Sequence, residues 1–181
     1  LFICDVFAAM RDAAQHTYQV LTKRPQRMAM LLDSIRTLDG GSFFLDGGPA
    51  RQAEPTGTGR PMVLPNVWLG TSIESDRYAF RADRLRATPA AVRFVSLEPL
   101  LGPLPSLDLT GIAWAIIGAE SGKGARPMEL DWAREIVAKA REAGTAVFVK
   151  QLSGGFHAVK DIELFPADLR IREYPTRKAV A

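Results

Sequence analysis

The sequence contains little cysteine and histidine and no long hydrophobic run. Its 181 residues include one cysteine, Cys4, and two separated histidines, His16 and His157. One thiol excludes an internal disulfide, and these three side chains cannot by themselves supply the ligands of a zinc or iron–sulfur site. No apolar stretch approaches the roughly 20 residues that cross a bilayer, and residues 1–10 lack the basic start of a signal peptide. We therefore expect a soluble, cytoplasmic protein with no membrane partner and no metal or cofactor held by this chain alone.

Neither sign of charge dominates the sequence. Lys and Arg number 23 and Asp and Glu number 20, which leaves a formal net charge of +3. This mild basic excess permits contact with nucleic acid without arguing for it. With 47% hydrophobic residues the chain can close one core, so we expect a single domain over residues 1–181.

Apolar, β-branched runs alternate along the chain with stretches of helical period. This alternation favours an α/β fold in which helices cover parallel strands that lie side by side in chain order. Pro25 suits the first turn of a helix, Ser75 is a candidate helix N-cap, and Gly144 is a natural helix stop. The predicted strands are residues 17–21, 67–72, 92–97, 114–117 and 146–149. The predicted helices are residues 2–13, 25–38, 75–87 and 130–143.

Two segments interrupt this alternation. Residues 39–65 are crowded with glycine and proline and show no sustained period, which predicts a long surface insertion, either a passive loop or a substrate lid. Residues 154–181 also lack a clear period, and we expect them to form an irregular tail that wraps the outside of the domain.

Polar and charged side chains follow every predicted strand. In a parallel α/β barrel the carboxyl ends of all strands meet at one rim, so we expect these groups to share one ligand-binding pocket, with lysines as counter-charges to the glutamates. Paired carboxylates there would suit acid–base chemistry, a magnesium ion or an amine ligand, and the spacing does not choose among them. The candidate ligand-binding residues are Lys23, Arg24, Thr71, Ser72, Glu74, Glu98, Glu120, Ser121, Lys150 and Gln151.

Other prominent residues have simpler interpretations. The arginines of the predicted third helix, together with its aspartates, indicate a solvated face with salt bridges. The three tryptophans favour core packing over base stacking, and Cys4 lies on the apolar face of the first helix. Residues 118–122 are small enough for the backbone to approach a ligand, but they form neither a phosphate loop nor a dinucleotide fingerprint.

Five ordered segments of the chain resemble successive motifs of one family. They read QHTYQVLTKRP at 15–25, NVWLGTSIE at 66–74, FVSLEPL at 94–100, GAESG at 118–122 followed by ARPM at 125–128, and FVKQ at 148–151. PADLR at 166–170 resembles the C-terminal end of the same family. The family is the uncharacterised phage and prophage family named after gene products thirty-seven and sixty-eight, whose members resemble radical S-adenosylmethionine (SAM) barrels.

The resemblance implies a partial TIM-like, radical-SAM-like parallel barrel that lacks its first strand–helix units. Full members carry an earlier segment with clustered cysteines, which implies SAM and a [4Fe-4S] cluster for a complete protein, and Cys4 does not match those cysteines. The chain, which begins at Leu1, is therefore expected to be a truncated barrel of unknown substrate that is inactive by itself and binds no cluster. Its exposed strand edge is expected to favour self-association. The alternatives are a non-catalytic remnant that binds nucleic acid or protein, and a metal-assisted hydrolase.

Overall fold

The computed structural model describes residues 2–37, 43–45, 63–154 and 157–176. The described helices are α1 (Phe2–Asp12), α2 (Pro25–Ser34), α3 (Phe80–Arg86) and α4 (Leu130–Ala143). The described strands are β1 (Tyr18–Thr22), β2 (Ile35–Thr37), β3 (Phe43–Leu45), β4 (Val67–Ser72), β5 (Val92–Leu97), β6 (Trp114–Gly118) and β7 (Ala146–Gln151). Short 3₁₀ turns at Asp76–Tyr78, Ile162–Leu164 and Ala167–Leu169 complete the regular structure of these residues.

Five strands form one all-parallel sheet in the order β1, β4, β5, β6, β7. This order follows the chain, so the prediction of parallel neighbours in sequence order is confirmed. All five predicted strands exist, and β4 and β5 have the predicted bounds. The connection between β5 and β6, residues 98–113, contains no helix, as its sequence indicates.

Two helix predictions are wrong at their ends. The helix predicted for 25–38 stops at Ser34, because the β-branched residues Ile35 and Thr37 belong to β2, which pairs antiparallel with β3 inside the predicted insertion. The rest of that insertion, 39–42 and 46–62, lies outside the described residues. The helix predicted for 75–87 is a 3₁₀ turn followed by α3, and Ser75 makes no capping hydrogen bond from its side chain.

One face of the sheet carries the helices and the main hydrophobic core. Alternate strand residues such as Val95, Ile117 and Val149 point to this face and share one buried cluster with Leu85 of α3 and Ile136 of α4. The strands favour this arrangement because their apolar runs can be buried on both faces. Gly144 ends α4 in the left-handed conformation, as predicted.

The opposite face of the sheet is aromatic. Trp114 packs against the rings of Trp68, Phe94, Phe148 and Tyr174, with ring centroids 5.5–5.9 Å apart. The prediction that tryptophans pack in the core holds for Trp68 and Trp114, which are both buried. Trp114 Nε1 also donates a hydrogen bond of 2.8 Å to the carbonyl of Glu173, which ties the tail to this face.

The two outer strands of the sheet have different edges. The outer edge of β7 is bridged by the tail, because Val149 N donates to Ile171 O and Glu173 N donates to Val147 O, each at 2.8 Å. On the outer side of β1, no strand pairs with it among the residues that the structure describes. None of the described helices combines the length and the apolar character needed to cross a bilayer.

Gly70 of β4 has no room for a side chain, because the ring of Phe94 on the neighbouring strand lies over it. A Cβ atom at Gly70 would sit 2.4–2.6 Å from three ring carbons of Phe94. We expect Gly70→Ala to lower the free energy of unfolding by about 1–3 kcal/mol, the usual cost of forcing extra volume into a packed core. Denaturant unfolding measures this loss.

The matched control is Gly102→Ala, since a Cβ atom at Gly102 would meet nothing within 4 Å. Replacing the Phe94 ring by the smaller side chain of leucine, in Phe94→Leu, should recover part of the stability lost in Gly70→Ala. A double-mutant cycle detects this as coupling. Equal stabilities for Gly70→Ala and Gly102→Ala would contradict the close packing of this strand pair.

Candidate functional site

The carboxyl edge of the parallel sheet gathers the charged residues that follow its strands. Lys23 follows β1, Glu74 follows β4, Glu98 follows β5, and Lys150 is the second-last residue of β7. Two ion pairs join these residues across strands, Lys23 with Glu74 and Lys150 with Glu98. The prediction that lysines provide counter-charges for the glutamates is therefore confirmed for these two pairs.

Glu74 is the most buried charge of this edge, with its side chain 10% exposed. Its carboxylate contacts Lys23 Nζ on one oxygen and Arg81 Nη1, at 3.1 Å, on the other. Arg81 also donates to the carbonyl of Ser72 at 2.7 Å and lies 4.0 Å from the ring centroid of Tyr78. Through these two ion pairs, Glu74 connects the end of β4 to the loop after β1 and to α3.

The pKa of Glu74 depends on two opposing effects, its burial and its contacts with cations. Burial is the largest single influence and would raise the pKa of the carboxyl group. The hydrogen bond from Lys23, a backbone hydrogen bond and the charges of Lys23 and Arg81 together outweigh burial and lower the pKa. Glu74 is consequently a stably ionised structural anchor rather than a general acid near neutral pH.

Glu98 and Lys150 form a more exposed pair that spans the sheet above Gly118. Lys150 Nζ lies 2.9 and 3.0 Å from the two carboxylate oxygens of Glu98, and the side chains are 51% and 23% exposed. Glu98 belongs to the end of β5 and Lys150 to β7, so the pair crosses β6 between them. A Cβ atom at Gly118 would lie only 3.2 Å from Glu98 Cγ and Cδ, so the glycine lets the carboxylate settle over β6.

Glu120 holds its own loop together. Its carboxylate takes two hydrogen bonds from the Arg126 guanidinium, at 2.6 and 2.8 Å, and one from the Arg126 backbone amide at 2.8 Å. These contacts close a loop over residues 120–126, in which Gly122 and Gly124 adopt positive φ angles that other residues rarely take. The counter-charge of Glu120 is therefore an arginine of the same loop and neither of the predicted lysines.

The remaining candidate residues have distinct places. Gln151 is buried and donates to the carbonyl of Ala119 at 2.6 Å, where a register shift interrupts the pairing of β6 with β7. Thr71 Oγ1 donates to Thr22 O at 2.9 Å, which joins β4 to the end of β1. Ser72 is also buried, whereas Ser121 is exposed at the start of the loop. Arg24 lines an apolar cavity of about 300 Å³ formed by α1, β1 and α2.

Sequence reasoning missed two residues of this edge, Arg81 and Arg126. Arg81 is predicted on a solvated helix face, and that prediction is wrong because its side chain is only 12% exposed and is held by Glu74. A carboxylate directly after a strand, with an arginine at the start of the following helix, is the signal for such a contact. For Arg126 the signal is the short glycine-rich loop between two opposite charges.

No group of three or more His, Cys, Asp or Glu side chains that could hold a metal ion occurs among the described residues. The glutamates of this edge are separately engaged by lysine or arginine. The arrangement is instead a row of ion pairs, of which Glu98–Lys150 and Glu120–Arg126 are both partly accessible to solvent. Such a row can recognise charged groups on a ligand by exchanging partners.

These features define an α/β protein with a five-stranded parallel sheet and a row of ion pairs at its carboxyl edge. The chain belongs to the family described as "Protein of unknown function (DUF5131)", whose profile matches residues 1–175. No curated protein matches the chain, and no solved structure does either.

The contact between Glu120 and Arg126 predicts an unusually acidic carboxyl group. The hydrogen bonds from the Arg126 side chain, and then from its backbone amide, lower the pKa of Glu120 from 4.5 to about 2. A carboxylate with a lowered pKa in the folded state stabilises the fold fully above its unfolded pKa, and that contribution is lost as the pH falls towards 2. Carbon-detected NMR titration of the Glu120 carboxyl group measures the shift directly.

Arg126→Ala should return the pKa of Glu120 towards 4.5. Asp168 is the internal control, because a different arginine, Arg134, lowers its pKa. The pKa of Asp168 should be the same in the unaltered protein and in Arg126→Ala. A Glu120 carboxyl group that titrates near pH 4.5 in the unaltered protein would show that the loop is not closed by this contact.

Proposed function

We propose that the carboxyl edge of the sheet binds a small zwitterionic ligand through Glu98 and Lys150. The ligand class is an α-amino acid head group, as in SAM, whose carboxylate would meet Lys150 and whose ammonium group would meet Glu98. The observation that carries this proposal is the exposed ion pair over Gly118, at 2.9 and 3.0 Å.

The low cost of separating Glu98 from Lys150 favours the exchange of this ion pair for contacts with a ligand. A solvent-exposed ion pair contributes only about 0–1 kcal/mol to stability, so separating it costs little. A zwitterion offers each partner an opposite charge at short range, and charge-assisted hydrogen bonds are stronger than neutral ones. Glu74 is less suited to this role, because its carboxylate is buried and already shared by two cations.

The loop after β6 supports the same ligand class. The backbone amides of Ser121, Gly122 and Lys123 donate to no described residue, so they offer hydrogen bonds to an approaching ligand. The side of the loop near Glu120 is fixed by Arg126, so the loop is held in place before a ligand binds. Preorganisation of this kind lowers the entropic cost of binding.

The same proposal includes the larger architecture that the family resemblance implies, a radical-SAM-like barrel of TIM type. A parallel sheet in chain order with helices on one face and ligand groups at its carboxyl edge is consistent with part of such a barrel. The residues at the edge fit the amino acid head group of SAM. They do not fit the [4Fe-4S] cluster, because the chain has one cysteine, Cys4, and it is buried in the main core.

Isothermal titration of the protein with SAM tests the proposal, with methionine as the smallest ligand that carries the same head group. Both should bind at one site. Lys150→Met and Glu98→Gln should each weaken binding about tenfold or more, which corresponds to losing one hydrogen bond to a charged group. Neither variant should alter the thermal unfolding temperature strongly, since the ion pair is partly open to solvent, with Lys150 51% and Glu98 23% exposed.

The matched control is Glu163→Gln, which removes one carboxylate from the exposed ion pair between Glu163 and Arg170, away from the carboxyl edge. Its affinity for SAM should equal that of the unaltered protein. Absence of binding by SAM and methionine, or unchanged affinity in Lys150→Met, would sink the proposal.

A further inference from the structure

A second cavity lies at the opposite end of the sheet from the carboxyl edge. Its volume is about 730 Å³, within the range of small-molecule sites. Its walls are the amino ends of β5 and β7, the segment that leads into β6, the C-terminal end of α4 and the tail over residues 173–176. The candidate residues at the carboxyl edge contribute nothing to it.

Arg93 lines this cavity and is held in one orientation. Its Nε donates a hydrogen bond of 2.9 Å to the carbonyl of Thr88, and its backbone carbonyl accepts from Ala113 N at 2.9 Å. For the Nη1 and Nη2 groups the described residues offer no hydrogen-bond partner and no carboxylate. The outer edge of the guanidinium, which is the part that recognises oxyanions in pairs of hydrogen bonds, is therefore available.

The surroundings of Arg93 leave its charge uncompensated. Burial lowers the pKa of its guanidinium, which is the effect expected where water is partly removed and no anion replaces it. The other charged pair on the cavity wall is closed, because Arg141 binds both carboxylate oxygens of Glu173, at 2.7 and 3.0 Å. Glu173 also accepts a hydrogen bond from the backbone amide of Val147 at 3.0 Å, so it is not free to turn to Arg93.

A neighbouring arginine shows what a purely structural guanidinium looks like in this region. Arg86 of α3 contacts the carboxylates of Asp83 and Asp108 and the carbonyls of Asp108 and Thr110, at 2.7–3.1 Å. Each of its three guanidinium nitrogens donates a hydrogen bond within the protein. Arg93 lines the cavity and makes one side-chain hydrogen bond to the described residues, so it differs from Arg86 in having donors left for a ligand.

We infer that the cavity at the amino end of the sheet is a binding site for a small oxyanion, a phosphate or a carboxylate. Arg93 would bind this anion by donating hydrogen bonds from Nη1 and Nη2. An anion there supplies the charge that the partly buried guanidinium lacks. The site is separate from the proposed SAM-binding edge and does not depend on it.

Titration of the isotopically labelled protein with inorganic phosphate, followed by NMR, tests this inference, and acetate serves as the carboxylate probe. Saturable shifts are expected at the amides of Ala113 and Ala146, which line the cavity. Arg93→Met, which keeps the aliphatic stem, should weaken phosphate binding about tenfold or more. Arg93→Lys should retain part of the affinity, because it keeps the charge and loses the two-pronged geometry.

Arg84→Met is the matched control. Arg84 lies on the same helix as Arg86, is exposed and does not line the cavity, so its removal changes the net charge equally. Its phosphate affinity should equal that of the unaltered protein. If Arg93→Met does not fold, the Arg93→Lys comparison and the position of the shifts decide the question. Absence of saturable shifts, shifts confined to the carboxyl edge, or equal affinities for Arg93→Lys and the unaltered protein would overturn the inference.

Discussion

Parallel hydrogen bonding between the five strands of the main sheet, which are arranged in chain order, is the constraint on which the rest of this structure depends. Because each strand enters the sheet from the same end, each strand also leaves it at the same edge. The residue after one strand therefore lies beside the residue after the next, and Lys23 meets Glu74 although a long segment separates them in sequence. An antiparallel strand would send its charged end to the opposite edge, and the row of ion pairs would be broken.

The three glutamates of the carboxyl edge obtain their cations from three different sources, and this decides what each can do. Glu74 is enclosed by the loop after β1 and by α3, so its charge holds elements together. Glu120 is used within its own loop. Glu98 takes its cation, Lys150, from β7, two strands away in the sheet, and is 23% exposed. Glu120 is exposed to a similar degree, but its arginine belongs to the same short loop.

The parts of this fold that could be predicted from sequence are those that a local pattern determines. The apolar runs of β4 and β5 gave their bounds, and Pro25 and Gly144 marked real helix ends. The end of α2 could not be found in this way, because Ile35–Thr37 becomes a strand only through pairing with Phe43–Leu45. The partner of Arg81 was missed for a related reason, since helical periodicity places a side chain on a face but does not show that it reaches back to the preceding strand.

The tail that bridges β7 has a consequence for the behaviour of the sheet towards other molecules. A parallel sheet ordinarily presents unpaired amides and carbonyls on its last strand, and these can recruit a strand from another chain. Here residues 171–173 occupy those groups on β7 with antiparallel bonds, and the indole of Trp114 fastens the same segment from the side. Intermolecular strand addition at β7 is therefore blocked where residues 171–173 already pair with Val147 and Val149, and this segment of the same chain ends the hydrogen-bond ladder on that side.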